Sequence, residues 1–121
     1  MHGVPSTLDL SCFQGGTLVQ IALGEWQVQF HFHPKGSISV EGRWELLDQK
    51  AEVLDRFLEP NERSEYRLNR ILGKVVAGTQ VGAPRSVSLT FENGCVLRLF
   101  DDDPRYEAFS IQLGDGRTVI V

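Results

Sequence analysis

Two stretches decide the fold: FQGGTLVQIALGEWQVQFHFHPKG (Phe13–Gly36) and ILGKVVAGTQVGAPRSVSLTFENG (Ile71–Gly94). At a shift of 58 residues Gly15 meets Gly73, Leu23 meets Val81 and Gly24 meets Gly82. Ser86 is one inserted residue, after which Val28 meets Val87, Phe30 meets Leu89 and Phe32 meets Phe91; Gly36 then meets Gly94. Such self-similarity marks a β unit used twice. The matched positions are apolar residues and turn glycines, so the repeat speaks of fold rather than chemistry.

Within the first copy, Thr17–Leu23 reads as a strand and Gly24-Glu25 as a turn. Gln27–His33 alternates Val28, Phe30 and Phe32 with Gln27, Gln29, His31 and His33, the period of a half-buried antiparallel strand. Ile38, Val40, Trp44 and Leu46 continue with period two, and Gly42 marks a bulge or a close approach. Residues 45–58 are compatible with a helix, but the hairpin is preferred, returning over Ala51–Phe57. In the second copy Val87, Leu89 and Phe91 alternate with Ser88, Thr90 and Glu92. A three-residue turn, Glu92-Asn93-Gly94, pairs Phe91 with Cys95, Leu89 with Leu97 and Val87 with Leu99, and sets Gly94 at a left-handed position. A two-residue turn would instead oppose Leu89 with Arg98. Phe109–Leu113 and Thr118–Val121 read as closing strands.

Between the copies the sequence predicts a helix over Glu62–Leu72. Asn61 is a strong N-cap, Leu68, Ile71 and Leu72 form an apolar stripe, and Gly73 is a left-handed stop. The expectation is a single α+β domain, mostly antiparallel β. Its half-units, about 13–58 and 71–121, are joined by that helix into a curved sheet, open barrel or sandwich.

The chain has 121 residues, 41% hydrophobic and 23% charged, with net charge -4. That length supports one core without metal or disulfide staples. The acidic balance argues against a nucleic-acid partner, which requires clustered positive charge. No apolar stretch approaches a membrane span. Cys12 and Cys95 follow no signal-like segment, so reduced thiols and a cytoplasmic location are expected.

His31-x-His33 places two imidazoles on one strand face, as cupin metal sites do. However, no Glu follows three or four residues on, and no later His exists. Two ligands without a third make a poor zinc site, and outward histidines are the plainer reading. Asp101-Asp102-Asp103 with Tyr106 and Glu107 is an acidic loop whose spacing is not that of an EF-hand. It is read as turn surface or as a contact patch for a basic protein. No G-x-S-x-G, phosphate loop or nucleophile–base pair is present, and no cofactor is expected.

FENGCVLRLFDDDPRYEAFSI (Phe91–Ile111) and FHFHPKGSISVEGRWEL (Phe30–Leu46) resemble segments of small uncharacterised bacterial proteins with an F-E-N/D-G, apolar strand, D-D, Y-E-x-F pattern. Some proteins of this size and style look like immunity proteins, which bind and neutralise a toxin. The resemblance implies a non-enzymatic protein-binding module, with Asp101, Asp102, Asp103, Tyr106 and Glu107 as its acidic face. The alternative is a small-ligand or metal-binding β-barrel with His31 and His33 near its mouth. A homodimer through a free sheet edge is also compatible with the sequence.

Overall fold

The computed structural model describes residues 3–58, 65–101 and 108–121. Its ten strands are β1 (Thr17–Leu23), β2 (Val28–His33), β3 (Ser37–Val40), β4 (Trp44–Leu47), β5 (Val53–Arg56), β6 (Val76–Gly82), β7 (Ser86–Phe91), β8 (Val96–Phe100), β9 (Phe109–Gln112) and β10 (Thr118–Ile120). They form two antiparallel sheets. Sheet A has the order β1-β2-β3-β9-β10 and sheet B the order β5-β4-β8-β7-β6. The sheets do not close into a barrel. Their inner faces share one core, with Phe30, Phe32, Ile38, Val40, Phe109 and Ile111 from sheet A meeting Trp44, Leu46, Leu89, Phe91, Leu97 and Leu99 from sheet B. Each such side chain contributes roughly 1.5–3 kcal/mol by leaving water.

The repeat runs through the whole chain. Both opening strands carry a bulge at matched positions, Leu18/Gln20 against β2 and Val76/Gly78 against β7. The third strand of each half then gives up the next hairpin to the opposite sheet. The β4–β5 hairpin joins sheet B beside β8, and β9–β10 joins sheet A beside β3. The registers match: Ile38↔Ile111 and Val40↔Phe109 in one sheet, Leu97↔Leu46 and Leu99↔Trp44 in the other. Each half therefore supplies three strands to one sheet and two to the other, so neither half owns a sheet.

The halves cross at the antiparallel bridge Thr17↔Val75. Around it the hydrogen bonds are reciprocal. Gly15 N–H donates to Val76 O (2.8 Å) and Gly73 N–H to Leu18 O (2.7 Å); Leu18 N–H donates to Lys74 O (3.0 Å) and Val76 N–H to Gly16 O (2.8 Å). This is the pattern of a two-fold axis through the bridge.

The expected hairpin over residues 45–58 is present as β4–β5. The three-residue turn holds as well: Phe91 N–H donates to Cys95 O at 2.8 Å, Leu89 pairs with Leu97, Val87 with Leu99, and Gly94 has φ +88°. Gly42 is a close approach, since a Cβ there would lie 3.1 Å from Ala108 Cα.

The linking helix and the α+β label are corrected. Residues 62–64 lie outside the described residues, and the rest of the segment forms only a 3-10 turn, Leu68–Arg70. Two competing bonds account for this. The buried Asp55 carboxylate takes the Arg67 N–H at 2.7 Å, and the crossing at Thr17 draws Gly73 and Lys74 out into extended pairing. Leu68 and Ile71 are buried as expected, but Leu72 is exposed.

Candidate functional site

The sheet pairings assemble one surface that the strands alone do not reveal. Across the outer face of sheet A run two rows of five residues. One is Gln20–His31–Ser37–Gln112–Thr118 and the other Ala22–Gln29–Ser39–Ser110–Ile120. No member is charged. All are at least partly exposed, and Ile120 is among the most exposed large apolar residues. Amide and hydroxyl groups bond along the face: Ser37 Oγ donates to Gln112 Oε1 at 3.2 Å, and His31 Nε2 lies 3.3 Å from Gln29 Oε1. Charges stand at its ends, Glu25 in the β1–β2 turn and Lys35, Asp115 and Arg117 in the turns opposite.

The outer face of sheet B is built differently. Its matching row is Arg56–Glu45–Arg98–Ser88–Gln80. Arg98 Nη1 pairs with Glu45 Oε1 at 3.3 Å, and the Arg43 guanidinium lies 3.7 Å from the Phe100 ring centroid. The second row of this face, Gly78–Thr90–Val96–Leu47–Val53, is uncharged, so the two faces differ in one row, where sheet B carries charge and sheet A does not.

His31 and His33 share the outer side of β2, as the sequence indicates. His31 is one rung of the uncharged row, and His33 is exposed opposite Thr17. No group of three or more His, Cys, Asp or Glu side chains converges among the described residues.

Asp101 is not a surface residue. It is 2% exposed, its N–H donates to Arg85 O at 2.7 Å, and neither carboxylate oxygen has a hydrogen-bond partner among the described residues. Asp102, Asp103, Tyr106 and Glu107 lie outside the described residues.

The concavities are unassuming. A hollow of about 10 Å³ beneath Trp26 is walled by Trp44, Phe57 and Tyr66, room for no more than a single water. An open trough of about 530 Å³ lies at the far end of sheet A, lined by Ser11, Cys12, Gln14–Gly16, Pro34, Lys35, Asp115 and Arg117. Arg117 Nε is held by Asp115 Oδ2 at 2.6 Å, and Lys35 adds a second cation to the lining. Backbone N–H donation from Arg117 keeps the Asp115 carboxyl below the usual carboxylate range, and donation from Ser11 does the same for Asp9. Such capping orders the loops that border the trough.

Comparison with protein-family models, curated proteins and solved structures finds no match to the chain.

The sequence carried a signal of the uncharged face that strand-by-strand reading missed. Gln29, His31, Ser37, Ser39, Ser110 and Gln112 are all outward positions of alternating strands, and none is charged. Joining them requires the β3–β9 pairing, which spans the two halves.

Proposed function

We propose that this chain is a non-enzymatic protein-binding module whose contact surface is the outer face of sheet A. One observation carries the reading: two full rows of outward residues hold no charge, in a chain that is 23% charged. Loss of charged residues from the centre is one compositional feature of a protein interface, although the serines and alanine of this face are not residues that interfaces favour. The amide and hydroxyl groups supply donors and acceptors in a flat array, suited to a partner surface rather than to a small enclosed ligand. The partner is then a protein with an uncharged polar contact surface, rather than one drawn by an acidic loop. The resemblance to toxin-immunity proteins names one class of such partner.

The test is site-specific photo-crosslinking in cells of the source organism. A photoreactive residue at Ser39 or Ser110 is expected to trap the same protein, and one at Ser88 on sheet B to trap none. Trapping at Ser88 but not at Ser39 and Ser110, or no adduct at any site, would overturn the reading.

A further inference from the structure

The two halves build the same corner twice and finish it differently. In the second half Asn93 Nδ2 donates to Arg70 O at 2.9 Å, Asn93 Oδ1 accepts the Cys95 N–H at 3.1 Å, and Glu92 Oε2 accepts the Val75 N–H at 3.3 Å. That corner is closed by its own side chains. At the shift of 58 residues Cys12 stands for Arg70 and Lys35 for Asn93. Among the described residues no side-chain hydrogen bond joins these two positions, and the trough of about 530 Å³ opens between them instead. The fold itself does not require an open corner, and the volume is that of a small-molecule site.

Hydrogen-bond bookkeeping fixes what the trough offers. Its one carboxylate is spent: Asp115 Oδ1 accepts the Arg117 N–H at 3.0 Å, and Oδ2 accepts Arg117 Nε at 2.6 Å. That grip orients the guanidinium and leaves both terminal nitrogens without a partner among the described residues. Asp9 borders the adjoining hollow, where its Oδ1 accepts the Ser11 N–H at 2.9 Å. Lys35 is held by shape. A Cβ on Gly114 would overlap the Lys35 side-chain stem, so glycine at this turn lets the stem lie across it. The ammonium it carries has no carboxylate partner among the described residues. With Asp115 set against Arg117, the trough lining keeps one positive charge in excess and an excess of donors over acceptors.

We propose that this trough binds the phosphate group of a small molecule. The two terminal nitrogens of Arg117 form a planar fork that gives two parallel N–H bonds to one phosphate, and Lys35 supplies a point charge beside it. A phosphate monoester carries about −1.5 to −2 charges at pH 7, which uses both cations, whereas a carboxylate's single charge is satisfied by one. The trough exceeds the size of a phosphate, so the body of the ligand lies over Ser11, Gln14 and Pro34. The site is built from turns and uses no residue of the two uncharged rows, so it and the protein-contact reading stand or fall separately.

Titration of the full chain with inorganic phosphate, followed by backbone amide NMR at pH 7.5 and constant ionic strength, tests it. The expected result is a saturable shift of the Gly15, Gly16, Lys35 and Arg117 amides, with a dissociation constant on the order of 1 mM or below. Lys35→Met keeps the stem that lies on Gly114 and removes only the ammonium; it is expected to weaken phosphate at least about fivefold. Arg117→Lys keeps the charge and loses the fork, and is expected to weaken it similarly. Lys50→Met, which removes the same charge from the turn of the other half, is expected to leave the affinity unchanged. Acetate is expected to bind at least about fivefold more weakly than phosphate. No saturable shift, a shift indifferent to Lys35→Met, equal weakening by Lys50→Met, or acetate binding as tightly as phosphate would each overturn the proposal.

Discussion

Ala51 is the one residue other than glycine, among those described, with a left-handed backbone, φ +64°. Its counterpart in the second half is Gly116, φ +92°. Both close their hairpins with the same bonds: Ala51 N–H to Asp48 O (2.9 Å) and Gly116 N–H to Leu113 O (3.1 Å). A Cβ in this conformation is strained, and glycine relieves that at some cost in chain entropy. Ala51→Gly is therefore expected to stabilise the protein by about 0.5–1 kcal/mol, read as a higher urea midpoint at unchanged slope. Asp101 is a second residue at odds with its surroundings. Among the described residues no donor reaches this buried carboxylate, and a neutral amide costs less to bury than a charge, so Asp101→Asn is expected to raise stability in thermal or urea unfolding. Sequence alone could not find this residue, because its run of neighbouring aspartates reads as surface. Asp55 was hidden in the same way. It sits in a strand as an ordinary polar alternate, yet its carboxylate takes the N–H groups of Arg56 (2.8 Å) and Arg67 (2.7 Å) and ties the linking segment to β5.

At the scale of elements, hairpins were legible and their destinations were not. Period-two alternation and the Asn93-Gly94 turn fixed β7 and β8 to the register, because a slip of one residue would send Leu89 and Leu97 into water. The segment leading to Gly73 misled for a physical reason. Leu68 and Ile71 have helical spacing, but a segment between sheets is also held by what it bonds to, here Asp55 and β1. The exchange of hairpins makes a symmetric expectation for the core. Leu46 and Ile111 occupy matched sites on β4 and β9, each fully buried and paired to a strand of the other half. Leu46→Ala and Ile111→Ala are each expected to cost about 2–5 kcal/mol. Urea unfolding should show one transition in both variants, since each residue joins the halves. Two separated transitions would mean that the halves fold as independent bodies.

The molecule as a whole is a sandwich in which a duplicated unit has diverged on its surfaces while keeping its core. Inner positions match across the halves, Phe32 with Phe91 and Ile38 with Leu97. Outer positions do not: sheet B keeps Arg56, Glu45 and Arg98 where sheet A has uncharged side chains. The face was only partly legible in the sequence, because its rows are completed by strands β9 and β10 from the other half. Function is accordingly sought on sheet A. The most direct measurement is the affinity of the crosslinked partner, once purified, for two single-charge variants, followed by calorimetry. Ser39→Glu buries an unpaired charge in the proposed contact and is expected to weaken binding tenfold or more, about 1.4 kcal/mol, while Ser88→Glu on sheet B changes it less than about twofold. Binding that survives Ser39→Glu and is lost with Ser88→Glu would contradict the account.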